Sequence, residues 1–266
     1  MNLPDVTVIA RREFEDIELL RIRKERTAVE YCWTCTPSII KYILERYDLG
    51  MCTYLDADLY FYADPKDLIA EMDDKSVLIT EHRFSPAYDR SADCGKYCVQ
   101  FLTFKNNAVG MKVLEWWRKA CNAWCFDRFE GGKFGDQKYL DDWPERFPCV
   151  HVLRNPGGGV APWNVQQYDF KKASFEIIFF HFHQIKLYEN RLIDFGNYKL
   201  AEYVINFFYR PYISHLERML EYVRDIEKPY DACYIKYETD WIRPLRNLRR
   251  KLKGVYNVYN RNEFVK

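Results

Sequence analysis

The sequence predicts an α/β fold built on a doubly wound sheet, and three observations predict it. Short apolar runs of strand length alternate with stretches of helical period from about residue 6 to residue 180. One apolar run, CTYL, leads directly into the acidic pair Asp56 and Asp58, and in such sheets ligands gather beyond the carboxyl ends of strands. Past Asn197 the alternation gives way to helical patterning, so the chain is expected to divide into residues 1–197 and an α-helical appendage at 198–266.

In order, residues 6–10 read as a strand and 12–25 as a helix. Thr36 and Pro37 offer an N-cap and a first-turn proline to a helix whose Ile39, Ile40, Ile43 and Leu44 recur at helical spacing. Residues 52–55 and 59–62 are strand runs on either side of the aspartates. Further strands are expected at 76–80, 98–104 and 174–180, and helices at 109–124 and 136–143. The glycine-rich NPGGGVAPWN, residues 155–164, lacks the G-x-x-x-x-G-K-S/T pattern of a phosphate loop and reads as a flexible loop over the site. Residues 198–225 read as a helix broken or kinked near Pro211, and 242–253 as the last helix. No internal repeat or low-complexity segment is present.

Composition excludes several classes. With 48% hydrophobic and 17% aromatic residues the chain can bury a substantial core. A net charge of +1 gives no global field directed at nucleic acid. Nine cysteines accompany an opening, MNLPDVTVIARREFED, without the pattern of a secretory signal, which points to a reducing cytosol and free thiols. Cys32 and Cys35 form a C-x-x-C, but the second half of a zinc knuckle is missing, so a structural zinc is not expected. No window is apolar for long enough to span a bilayer.

In extended chain Asp56 and Asp58 project to the same side. Two carboxylates beside apolar neighbours repel and lose hydration unless a cation neutralises them. Carboxylate oxygens suit Mg²⁺ or Mn²⁺, ions that keep positions open for diphosphate oxygens; the plain alternative is a pair of turn-capping, solvated aspartates. His181 and His183 share the same period of two at the end of FEIIFFHFH, as ligands or as packed core residues, with His181 and His183 both open as the ligand. Lys186 follows, placed either to meet a phosphate or to sit in solvent. Asp136 and Gln137 open the GDQKYLDDW segment, where an acid in a first helical turn serves as a cap or faces a cleft.

The segment YLDADLYFY resembles the DxD region of metal-dependent nucleotide-sugar glycosyltransferases of the GT-A fold, in particular family 8 and the related bacterial lipopolysaccharide sugar transferases. The likeness runs from Arg26 in RTAVEYCWTCTP through YCVQFLTFKNN and GDQKYLDDW to HFHQIK, covering roughly residues 20–190 in order. It implies a Rossmann-like mixed sheet, transfer of a sugar from a nucleotide-diphosphate sugar to a glycan or lipid-linked acceptor, and retention of anomeric configuration. It also implies that Asp56, Asp58 and His181 hold Mn²⁺ or Mg²⁺. Asp56 and Arg26 would touch the donor, Gln100 would stand where the family has an asparagine on the donor sugar, and Asp136 with Gln137 would approach the transferred sugar. Two departures stand out. The family's histidine is followed by glycine and then Lys-Pro-Trp, where this chain has Gln184 and Lys186-Leu187-Tyr188. The nucleotide half of such a fold also begins with more chain than precedes Asp56, so a front shortened relative to the family is expected.

Two rivals accompany that reading. One is a degenerate transferase domain kept as a binding module. The other, more distant, is a phosphatase of the haloacid-dehalogenase type, which pairs D-x-D with later acids such as Asp136 and Asp141. The tail WIRPLRNLRRKLKG carries Arg243, Arg246, Arg249, Arg250, Lys251 and Lys253 with no acid, and places Leu245, Leu248 and Leu252 on one side. It reads as a basic amphipathic helix able to lie on the inner face of a membrane, or packed on the domain with its cations in water.

Overall fold

The computed structural model describes residues 5–170, 172, 174–226, 233–237 and 241–264. In chain order its strands are β1 (Met51–Leu55), β2 (Leu59–Phe61), β3 (Val77–Glu81), β4 (Tyr97–Lys105), β5 (Val150–Val152), β6 (Gly158–Val160), β7 (Phe179–His181), β8 (Lys186–Leu187), β9 (Leu192–Asp194) and β10 (Val258–Asn260). The helices are α1 (Arg11–Phe14), α2 (Ile17–Ile22), α3 (Ala28–Arg46), α4 (Lys66–Ala70), α5 (Ser91–Cys94), α6 (Ala108–Ala123), α7 (Trp143–Arg146), α8 (Glu202–Val204), α9 (Arg210–Ile226) and α10 (Arg243–Leu252). The fold is mixed α/β. It divides into two compact units, the first of residues 1–56, 66–83 and 89–155, the second of 57–65, 84–88 and 156–266.

The first unit is built on a four-stranded sheet of order β1-β4-β3-β5, in which only the β3–β5 pair is parallel. Strand β4 is buried along almost its whole length, its mostly apolar and aromatic sequence interrupted by the buried Gln100 and Thr103. Helix α6 covers this sheet through Val113, Leu114, Trp117 and Cys121, and Trp117 stacks on Phe104 at 6.2 Å while meeting Trp143 edge-on at 5.7 Å. The strand and helix expected at 76–80, 98–104 and 109–124 are found within a residue or two.

The front of this unit departs from expectation. Residues 6–10 form no strand, and the helical period over 12–25 is cut into α1, α2 and a 3₁₀ turn at Arg23–Glu25. Helix α3 does not begin at Thr36. Its cap is Thr27, whose side chain accepts from the Glu30 amide at 3.3 Å while the Glu30 carboxylate accepts from the Thr27 amide at 2.8 Å. Pro37 therefore lies inside the helix, where its missing N–H costs about 3 kcal/mol. Burial of Ile40 and Leu44 in the sheet's core offsets that cost, and carries the helix past the proline. Residues 136–143 also differ: a 3₁₀ turn at Lys138–Asp142 runs into α7. Between Glu130 and Lys133 an isolated bridge closes a tight turn through Gly131 and Gly132.

The second unit holds two three-stranded sheets, β2-β7-β6 and β10-β9-β8. Its strands are short, and an aromatic cluster does the packing: Phe180 stacks on Phe208 at 4.3 Å, Phe182 on Tyr212 at 3.9 Å, and Phe195 meets Tyr209 at 4.3 Å. The strand expected at 174–180 is only Phe179–His181. Residues 155–164 are not a loose loop. They contain β6, buried and parallel to β7, and Asn164 pins the segment by accepting from the Ala161 amide at 2.9 Å and donating to the Gly159 carbonyl at 2.8 Å.

The helix expected over 198–225 is interrupted before Pro211 by a π-helical turn at Ile205–Tyr209, whose Phe208 carbonyl accepts from the Tyr62 hydroxyl at 2.9 Å. The last quarter is not a separate α-helical appendage. Its strand β10 pairs with β9, and Phe264 packs edge-on against Phe195 at 5.3 Å, so it completes the core of the second unit.

Candidate metal site

The two aspartates lie in the turn between β1 and β2, and each is tied to a different strand. The Asp56 amide donates to the Gln100 carbonyl at 3.0 Å, one step beyond the β1–β4 ladder. The Asp58 carbonyl accepts from the Phe182 amide at 2.8 Å, next to the Leu59–His181 pair of β2 and β7. A single residue, Ala57, separates them, so their closeness is set by the local turn. The side chains converge without the straight strand that period-two spacing assumed.

Asp58 meets His181 through a 3.1 Å contact from Oδ1 to Nε2, with the imidazole almost fully buried and the carboxylate 44% exposed. Asp56, Asp58 and His181 each offer one ligand atom, and those atoms lie within 4.8 Å of one another. Burial pushes the Asp58 carboxyl up, but the hydrogen bond and charge of His181 outweigh it and hold the group below its ordinary value.

His183 is the other imidazole of the pair, and it points elsewhere. Its Nδ1 is 2.9 Å from the Tyr198 hydroxyl, and burial together with the His181 charge pushes its pKa down to about 4. Trp163 meets both rings edge-on, at 5.1 Å from His181 and 5.4 Å from His183. The indole thus packs against the His181 ring and limits its rotation.

Around Asp56 the chemistry is different. The Tyr54 hydroxyl donates to Asp56 Oδ1 at 2.9 Å, and burial plus that charge pushes the phenol well above its usual range. Asp136 is 4% exposed, and burial first, then the Asp56 charge, push its carboxyl up to about 8. The Cys32 thiol is raised by burial, then by Asp136 and Asp56. Gly135, with φ +51°, turns the chain into Asp136; a Cβ there would stand 3.3 Å from the Trp33 ring. The Asp136 carbonyl accepts from Trp117 Nε1 at 2.9 Å, which anchors the segment in the core.

The remaining sequence-based candidates are not drawn together. Gln100 is fully buried in β4, with Nε2 3.4 Å from the Thr80 hydroxyl. Gln137 spends its Nε2 on the Cys94 carbonyl at 2.8 Å. The Arg26 side chain is 2% exposed, lies 3.7 Å from the Phe126 ring centroid, and has no hydrogen-bond partner for its Nε. Lys186 is exposed on β8, in the sheet that does not carry His181. Asp141 is paired with Lys138 at 2.9 Å and accepts from the Lys96 amide at 2.7 Å, a local structural use. Trp163, Tyr54 and Tyr198 also face these groups, and no spacing rule in the sequence marks an aromatic that meets a histidine edge-on.

No protein-family model matches the chain, and no solved structure matches it. It is 30% identical over 235 residues to the uncharacterized protein YfnD of Bacillus subtilis (strain 168), a match that covers 82% of this chain and 75% of YfnD. The chain belongs to the YfnD family. A second relative, the uncharacterized protein YfnF of the same strain, is 31% identical over 198 residues, covering 68% of this chain and 65% of YfnF. Kinship with YfnD sets membership and no activity.

Proposed function

We propose that this member of the YfnD family is a GT-A-fold glycosyltransferase that uses Mn²⁺ or Mg²⁺ and a nucleotide-diphosphate sugar, with a glycan or lipid-linked acceptor. The observation that carries the reading is the convergence of Asp56, Asp58 and His181. Two carboxylates and one imidazole are a donor set that suits Mn²⁺ and, with water completing the shell, Mg²⁺. The ordered resemblance of the flanking segments to family 8 supports it, and no helix among the described residues is long and apolar enough to cross a membrane.

A cation held by these three side chains would offset the charge that develops on the departing diphosphate. His181 presents Nε2 toward Asp58, held in orientation by Trp163. The Asp136 carboxyl keeps its proton up to about pH 8 while Asp56 is bare; neutralising Asp56 removes the second cause of that shift and favours the carboxylate. As an anion Asp136 would stabilise the positive charge that builds on the sugar, as carboxylates do in hydrolytic glycosyl transfer.

The test is a panel of nucleotide sugars assayed for Mn²⁺-dependent hydrolysis and transfer, with Mn²⁺ binding followed by calorimetry. Asp58→Asn should lower Mn²⁺ affinity by more than about a hundredfold and abolish turnover while leaving the circular dichroism spectrum unchanged. Normal turnover by that variant in EDTA overturns the mechanism. Mn²⁺ binding with no heat from any nucleotide sugar would favour the inert binding module.

A further inference from the structure

We propose that α10 is a docking surface for an anionic lipid bilayer. Its orientation on the second unit carries the inference, which does not rest on the glycosyltransferase reading.

A basic amphipathic helix packed on its own domain is expected to turn its leucines inward and its cations outward. Helix α10 does the reverse. At about 100° per residue, Arg243, Asn247 and Arg250 fall on one stripe, and these are the half-buried positions of the helix. Arg250 makes a bidentate pair with Asp194 at 2.7 and 2.6 Å and donates to the Gly196 carbonyl at 2.9 Å. The Arg243 guanidinium lies 3.6 Å from the Tyr237 ring centroid. The helix is therefore fastened to the protein by its polar side.

The opposite stripe is apolar and open. Trp241 is 83% exposed, Leu245 61%, Leu248 54% and Leu252 81%, and no residue of α10 is buried. Exposing three leucines and a tryptophan to water is unfavourable, and the Arg250–Asp194 clamp holds them there. Arg249, Lys251 and Lys253 are exposed as well. From Trp241 to Asn262 there is no acid, so within this segment the charges beside the apolar strip are all cationic.

Charge complementarity selects the occupant. An anionic bilayer presents headgroup phosphates to the cations and acyl chains to the leucines, and tryptophan favours the boundary between them. A second copy of the chain would bring the same cations against themselves. The helix is ten residues long, too short to span, so it would lie in the plane of the interface.

The experiment is co-sedimentation of the full chain with vesicles of phosphatidylcholine alone or with 30% phosphatidylglycerol by design, at about 0.05 and about 0.5 M salt, where screening lengths differ several-fold. The parent is expected to pellet with the anionic vesicles, at least about tenfold more than with neutral ones, and to be released by salt. The triple variant Leu245→Ser, Leu248→Ser, Leu252→Ser should stay in the supernatant with its circular dichroism spectrum unchanged. Arg249→Glu with Lys253→Glu, which leaves the Asp194 clamp alone, should lower pelleting while keeping the leucines. Equal pelleting of parent and triple variant, or none by the parent, overturns the proposal. Gel filtration that shows a dimer lost in the triple variant assigns the face to a second copy and also overturns it.

Discussion

The two compact units manage buried charge in opposite ways. In the first, burial and then the nearby Asp56 charge push the Asp136 carboxyl up to about 8, while Tyr54 donates to Asp56. In the second, Asp58 has an imidazole 3.1 Å away and stays below its ordinary pKa despite burial. One unit holds like charges close together, and the other holds a compensated pair. The frameworks differ accordingly. The first is centred on the nine-residue, buried β4 under an amphipathic helix, whereas the second rests on strands of two or three residues held by aromatic rings.

The largest test of that contrast is to cut each core separately. Trp117→Ala in the first unit and Phe180→Ala in the second should each cost about 3–5 kcal/mol. Hydrogen exchange should show lost protection confined to residues of the unit that carries the change. Loss spreading equally through both units in either variant would break the division.

A smaller effect should come from Asp136→Asn. The Asp136 carboxyl moves from an ordinary value of 3.8 to about 8 in the folded protein. Between those values the folded chain holds a proton that the unfolded chain has released, so stability falls as pH rises from about 4 to about 8. The asparagine variant lacks this loss. In EDTA its Tm should match the parent near pH 4 and exceed it by at least about 3 °C near pH 8. A pH-independent difference would mean that like-charge repulsion is not stored there. Saturating Mn²⁺ should shrink the gap, because a cation at Asp56 removes part of its cause.

The smallest change concerns the turn after β7. Gln184 has φ +67°, in the left-handed region that glycine occupies without cost. Its Oε1 accepts from the Asn197 amide at 3.3 Å, which recovers little. Gln184→Gly should raise stability by up to about 1 kcal/mol with Mn²⁺ affinity unchanged, read by thermal melts and calorimetry. A drop in stability would show that the side-chain hydrogen bond matters more than the backbone strain.

Legibility follows the same divide. The β3, β4 and α6 segments could be read because their buried positions are mostly apolar and follow a strand or helical pattern over the whole element. Residues 155–164 read as loose because glycine and proline dominate locally, yet Asn164 and the pairing of β6 with β7 make them part of a sheet. Thr36 and Pro37 looked like a helix start because that cap rule is local, while Thr27 and Glu30 had already satisfied the free amides one turn and more upstream. The tail was legible as an amphipathic helix, but which face it turns outward was not, since Asp194 lies 56 residues before Arg250 in the chain.

The sequence by itself determined the α/β class, the strand that delivers the aspartates, and the residue types able to hold a hard cation, because these depend on period, local turn chemistry and donor atoms. Only the tertiary structure decided that His181 and not His183 joins Asp58, and that Trp163 orients it. It also decided that Asp136 keeps its proton at neutral pH and that Arg250 fixes the leucines of α10 outward. Each of these depends on distance and burial between groups far apart in the chain, and electrostatic cost is set by that environment rather than by sequence neighbours.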